Sequence, residues 1–217
     1  MKKSFFIILA VCAVLTSCAS NNVELSSLGK SGPITMRIAS HSKVDQIDGE
    51  PTKLRGSCKL EPGFHSFGVD YFHATPDYVA QAHVNKEFYF EEGKSYSMKS
   101  IESNGFLLLP IRDDSQAITK SWHFMKSAED PEAPAKRIRS IKTFPKDQKF
   151  EIVGTFEITL SGGMFVSSSL TNDRALKYLE SFVGNSEYDV DAFVDAYSCR
   201  TMSGQIANAV GIKFVEE

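Results

Sequence analysis

Histidines, clustered acids and a few cysteines are the side chains of this sequence whose types could do chemistry. His65, His73 and His83 lie close together, and three imidazoles brought to one face could hold a transition metal. Nothing in their spacing fixes them at ligand geometry. His65 shares a strand face with Phe67 and Val69 and is expected to pack inward with a hydrogen-bonded ring, while His73 falls near a turn. Cys58 and Cys199 lack the Cys-x-x-Cys spacing of a zinc site. Asp189, Asp191 and Asp195 alternate beside Glu187, and paired carboxylates could do acid–base work or bind calcium. A calcium loop needs closely spaced oxygen ligands and a turn-forming glycine, which this run lacks, so solvent-facing acids on a half-exposed strand are expected. Ser161-Gly162-Gly163 and Thr201-Met202-Ser203-Gly204 do not match the G-x-S-x-G pattern of a nucleophile elbow, and no glycine-rich phosphate loop occurs. The sequence therefore assigns no catalytic residue, no metal ligand and no cofactor, and the protein is expected not to be an enzyme.

Cys18 is different. Lys2 and Lys3 precede an uncharged apolar run from Phe5 to Leu15, and small residues follow, the order of a secretory signal peptide over residues 1–17. The run is shorter than the roughly 20 apolar residues that a membrane-spanning helix needs. It ends in Leu15-Thr16-Ser17-Cys18 rather than in an A-x-A-like cleavage site. That ending resembles the lipobox of bacterial lipoproteins, Leu-small-small-Cys, whereas Cys12 follows the branched Val11 and does not. The resemblance implies that the Cys18 thiolate accepts a diacylglycerol as a thioether, and that cleavage before Cys18 frees an amine for a third acyl chain such as palmitate. Each buried CH₂ contributes about 0.8 kcal/mol; one chain binds marginally, and two or more anchor stably. Residue 19 is Ala and not Asp, which by resemblance to lipoproteins of Gram-negative bacteria implies sorting to the outer membrane, on its periplasmic or its surface face. Residues 18–33, polar and rich in Ser, Asn and Gly, read as a lipidated flexible tether.

These sites need elements to carry them. A hydrophobic content of 42% supports a real core, and about 200 residues beyond the signal make one large domain or two small ones. Loss of Lys2 and Lys3 takes the formal charge from −3 to −5, mildly acidic and without the basic excess of a nucleic-acid binder. From Ile34 to Ser100 the pattern is strands and turns: Ile34, Met36 and Ile38 alternate, Asp48-Gly49 sits at a turn tip, His65 to Tyr71 and Val84 to Phe90 alternate, and Gly93-Lys94 turns into Tyr96 and Met98. Phe106 to Pro110 is a further strand that could pair with Ala117 to Met125. A β-sandwich over 34–126 is expected. Residues 127–149, opened by Glu129-Asp130-Pro131-Glu132-Ala133-Pro134, read as a linker or long loop. Their basic run, Lys136, Arg137, Arg139 and Lys142, is a solvated segment or, through Ile138 and Ile141, an edge strand. Residues 150–217 read as a small α+β domain. Ile152, Gly154, Phe156, Ile158 and Leu160 share a parity, Thr171-Asn172-Asp173 starts a helix with Ala175, Leu176, Leu179, Phe182 and Val183 at helical spacing, and strands follow at Val190 to Tyr197 and Ile206 to Phe214. The fold class expected is α+β, mostly β: an N-terminal β-sandwich, then strand-helix-strand-strand.

Two likenesses accompany this reading. Ile47-Asp48-Gly49, Pro62-Gly63-Phe64-His65 with Val69 and Tyr71, and Gly93-Lys94-Ser95-Tyr96 resemble the "VDG", "PGxHxxxVxY" and "GKxYxL" features of a small β-sandwich module common in bacterial envelope lipoproteins. Its motifs specify turns and inward side chains and imply no chemistry. Val153-Gly154, Ala175-Leu176 with Leu179, Asp189 to Val194, and Ala209-Val210-Gly211-Ile212-Lys213-Phe214 resemble the YbjQ-like and RcsF-like α+β domain, although "GADAVV" of that family appears here as Tyr188-Asp189-Val190-Asp191-Ala192-Phe193-Val194. Some of its members are outer-membrane stress-sensor lipoproteins and others carry a heavy-metal-binding label. The combined expectation is a lipid-anchored envelope protein with a non-enzymatic binding, structural or assembly role and an envelope-protein partner, or else a stress-sensing lipoprotein of the RcsF type. Beyond Cys18, two thiols remain. In an oxidising compartment Cys58 and Cys199 are either a disulfide or two separate buried thiols.

Overall fold

The computed structural model describes residues 28–103, 106–114, 119–124, 131–161, 172–201 and 204–216; the signal region, Cys18 and most of the tether lie outside them. The fold is α+β and mostly β. The alternating apolar positions of the first half produce the strands expected. β1 (Ile34–Arg37), β4 (Ser57–Leu60), β7 (Ser95–Met98) and β10 (Ile111–Asp113) form one sheet in the order β10-β7-β1-β4. β2 (Ser42–Ile47), β3 (Glu50–Leu54), β5 (Gly63–Ala74) and β6 (Val79–Phe90) form a second in the order β3-β2-β5-β6. Asp48 and Gly49, with φ of 53° and 85°, make the β2–β3 turn, a conformation to which Asp-Gly is suited. Ile34, Met36, Val44, Phe67, Val69, Phe88, Phe90, Tyr96 and Met98 are buried in one cluster between these sheets. A short hairpin, β8 (Ile101–Ser103) with β9 (Phe106–Leu108), follows β7.

The second half keeps the expected element order but recruits more chain. β13 (Phe150–Ser161), α1 (Asn172–Gly184), β14 (Ala192–Thr201) and β15 (Gly204–Phe214) are the strand, helix, strand and strand. Their sheet runs β11-β13-β15-β14-β12, with β11 (Thr119–Phe124) and β12 (Arg139–Ile141) added at its two edges, each parallel to its neighbour. Thus β11, placed by the sequence in the 34–126 sandwich, pairs with β13 instead. The stretch expected as a linker, 127–149, contributes an edge strand and buries Ile138 and Phe144. Alternation says which residues face inward and not which strand lies alongside, so pairing across this distance was not readable. On α1, Ala175, Leu179 and Val183 are fully buried at a spacing of four, one stripe against the sheet.

Both faces of the five-stranded sheet are covered, and bulges decide which residue faces which way. A register shift between Ile152 and Gly154 turns β13 over. Ile152 joins the sandwich core, while Phe156, Ile158 and Leu160 pack under α1, although all four share a parity in sequence. In β14 the shift falls between Val194 and Tyr197, around Asp195 with φ of 53°. Ala192, Val194, Val210 and Ile212 extend the sandwich core into this sheet.

Candidate functional site

The outer face of the β3-β2-β5-β6 sheet gathers the most concentrated chemistry. Val44 pairs with Val69 and Gln46 with Gly68, which leaves Asp45 as the extra residue of a bulge in β2. Asp70 on β5 stands directly opposite Lys43 on β2 and His83 on β6. The His83 Nδ1–H donates to Asp70 Oδ1 at 2.9 Å, and Asp45 Oδ2 lies 4.0 Å from the same nitrogen. Lys43 Nζ donates to the other oxygen of Asp70 at 3.3 Å. Gly68 makes the room: a Cβ there would lie 2.5 Å from Asp45 Oδ1 and 3.3 Å from His83 Cε1. Asp45 Oδ1 is shielded from solvent and has no hydrogen-bond partner among the described residues. The bond from His83 holds the Asp70 carboxyl below its ordinary range, and acceptance by Asp70 lifts the imidazole above its own. An NMR titration of the ring is therefore expected to show His83 keeping its proton to higher pH than a free imidazole. Asp70→Asn should bring the midpoint down, and an unmoved midpoint would show that Asp70 does not set it.

A second feature is the far end of the β5–β6 hairpin. Thr75 N–H donates to Tyr78 O at 2.8 Å and closes the turn. His73 Nδ1 lies 3.2 Å from both Glu102 Oε1 and the Tyr78 hydroxyl, which itself donates to Glu102 Oε2 at 3.1 Å. The His41 ring stacks on His73 at 4.3 Å. Around this bonded knot three apolar side chains are open to solvent: Phe72, Tyr78 and Val79 at 56%, 47% and 65% exposure.

The third feature is buried. Arg112 of β10 donates to Glu157 of β13 and, at 3.2 Å, to the Tyr197 hydroxyl of β14; Asn208 of β15 also donates to Glu157, at 3.2 Å. All the charge in this network lies between the sandwich and the five-stranded sheet, and burial pushes the Tyr197 hydroxyl up to about 12. This is a clasp between layers. Lys86 adds a second link through Asp195, at 2.6 Å.

The remaining sequence candidates resolve as follows. His65 is largely buried, with its ring tilted against Phe67 and Phe90 at 6.4 and 5.9 Å, and it is bonded as expected, with Nδ1 2.7 Å from Asp48 Oδ2 and Nε2 2.9 Å from Glu61 O. His65, His73 and His83 fall into three separate clusters. Asp189 and Asp191 share Lys136, and Lys213 also reaches Asp189; first Lys136 and then Lys213 hold the Asp189 carboxyl down at about 2. Asp191 further accepts the Phe214 N–H at 2.9 Å, so these acids are tied down rather than simply solvated. Lys136 comes from the basic run, whose Arg139 lies 4.5 Å over the Phe214 ring, so the edge-strand alternative is the one formed. Cys58 and Cys199 are free and buried rather than bridged, and burial lifts the Cys58 thiol to about 12. Cys199 is on β14 of the five-stranded sheet, whereas Cys58 is on β4, an edge of the β10-β7-β1-β4 sheet. Among the described residues no helix is long and apolar enough to cross a membrane.

The grouping of Asp45, Asp70 and His83 was not legible in sequence. The signal for it, Asp45 on β2, Asp70 on β5 and a histidine thirteen residues after Asp70, acquires meaning only from the bulge and the strand register. No family model, no curated protein and no solved structure matches the chain.

Proposed function

We propose that this is a lipid-anchored protein of the cell envelope, held at the outer membrane through Cys18, with a non-enzymatic binding or assembly role. The observation that carries the reading is Leu15-Thr16-Ser17-Cys18 placed directly after a charged start and a short apolar run. The geometry of the folded part is compatible with a tethered binding module. Leu28 and Gly29 enter beside Ile47, Lys59, Glu61 and His65, where β5 begins. The Phe72, Tyr78 and Val79 tip lies at the other end of β5, about 30 Å away at the usual rise of a strand. A chain tethered at the first end presents these apolar groups away from its tether, where an envelope protein partner could meet them.

Metabolic labelling with a fatty acid, followed by membrane fractionation, tests the anchor. The wild-type protein is expected to incorporate label and to sediment with the outer membrane. Cys18→Ser is expected to take up no label and to accumulate uncleaved or be released by another cut. Unchanged labelling of Cys18→Ser would sink the reading.

A further inference from the structure

The geometry points to a site for a divalent transition ion of the zinc class, formed by Asp45, Asp70 and His83 on the outer face of the β3-β2-β5-β6 sheet. One ligand atom from each residue lies within 4.8 Å of the others. Around zinc at about 2.0–2.1 Å, neighbouring ligands in a tetrahedral shell are about 3.3 Å apart. The set therefore needs to close by about 1.5 Å at most, within reach of carboxylate and imidazole rotation. Two carboxylates and one imidazole suit a borderline ion; calcium takes six to eight oxygens, and magnesium prefers to keep its waters.

Two observations beyond proximity favour an ion over a plain surface ion pair. Asp45 Oδ1 is shielded from solvent and has no hydrogen-bond donor among the described residues, although the side chain as a whole is 31% exposed, and a cation held at this carboxylate would offset that loss. Gly68 keeps clear the space beside that oxygen and the His83 ring, space that a Cβ would fill. The bulge supplies the third ligand, since Asp45 is the residue that leaves the regular register. Lys43 holds the Oδ2 of Asp70 and leaves Oδ1 for the ion, the role of an outer partner that orients a ligand. His83 is about half exposed, so the fourth position opens to water. On binding, the ion takes the place of the Nδ1 proton of His83, which passes to solvent. Affinity is then expected to rise with pH until that nitrogen is free of its proton.

The site lies in the sandwich and does not depend on acylation at Cys18, so its test is separate from that of the anchor. Full-length protein in detergent is titrated with Zn²⁺ by calorimetry, with Co²⁺ absorption reporting coordination and Ca²⁺ and Mg²⁺ as comparison ions. One saturable equivalent of Zn²⁺ is expected, with broadening or a shift of the His83 ring resonances. His83→Ala and the near-isosteric Asp45→Asn should each weaken binding by about tenfold or more, since loss of an outer partner alone costs 10–100-fold. Asp45→Asn removes the charge and keeps the shape of the side chain, so its metal-free fold should be as stable as wild type; retained melting with lost binding separates ligation from folding. No saturable Zn²⁺ binding, undiminished affinity in both variants, or equal affinity for Ca²⁺ would overturn the site.

Discussion

Glu157→Ala is expected to destabilise the protein by about 3–5 kcal/mol, a large part of the roughly 5–15 kcal/mol that holds a typical domain together. Arg112 and Glu157 are 4% and 7% exposed. Removing the carboxylate leaves the buried guanidinium, among the described residues, with the Tyr197 hydroxyl alone as partner, and it takes an acceptor from Asn208. The cost lies in the stranded charge and not in the worth of the pair. Arg112→Met with Glu157→Leu, which removes both charges and keeps the volume, should therefore recover most of the loss. Urea unfolding of the two proteins beside wild type decides it. A loss under about 1 kcal/mol in Glu157→Ala would mean that water reaches this network. Because the clasp joins the sandwich to the five-stranded sheet, the loss should appear in a single transition.

Phe88→Ala is expected to cost a further large amount, about 3–5 kcal/mol, from lost burial and the cavity left behind. Phe88 is 1% exposed. Its ring meets Phe90 at 5.2 Å, Tyr96 at 5.9 Å and Phe144 at 5.0 Å, so it touches both sandwich sheets and the segment that leads into β13. Tight aromatic packing of this kind cannot close around a missing ring. Phe72→Ala, at an exposed ring of the same hairpin, should change stability by less than about 0.5 kcal/mol. Denaturant midpoints compare the two. A small effect at Phe88 would show that the segment around Phe144 moves in to fill the space.

Much of the local structure was legible because it depends on neighbours in sequence. The alternation of Ile34 and Met36, of Phe67, Val69 and Tyr71, and of Phe88 and Phe90 is realised in the buried faces of β1, β5 and β6. The Asp48-Gly49 turn and the stripe of Ala175, Leu179 and Val183 followed from the same short-range rules. The proposed lipidation of Cys18, outside the described residues, rests on the sequence alone: the order of charge, apolar run, small residues and thiol. Tertiary structure alone decided where β11 and β12 pair, because a strand of any sheet alternates in the same way and pairing is set by what remains unsatisfied after the rest has packed. It decided that Ile152 and Phe156 face opposite layers, because one inserted residue in a ladder reverses every side chain beyond it. It left Cys58 and Cys199 free by placing them on strands of two different sheets, β4 and β14, which composition and compartment could not reveal. And it brought Asp45, Asp70 and His83 together, since strands far apart along the chain become neighbours only when the backbone hydrogen-bonds in one particular register.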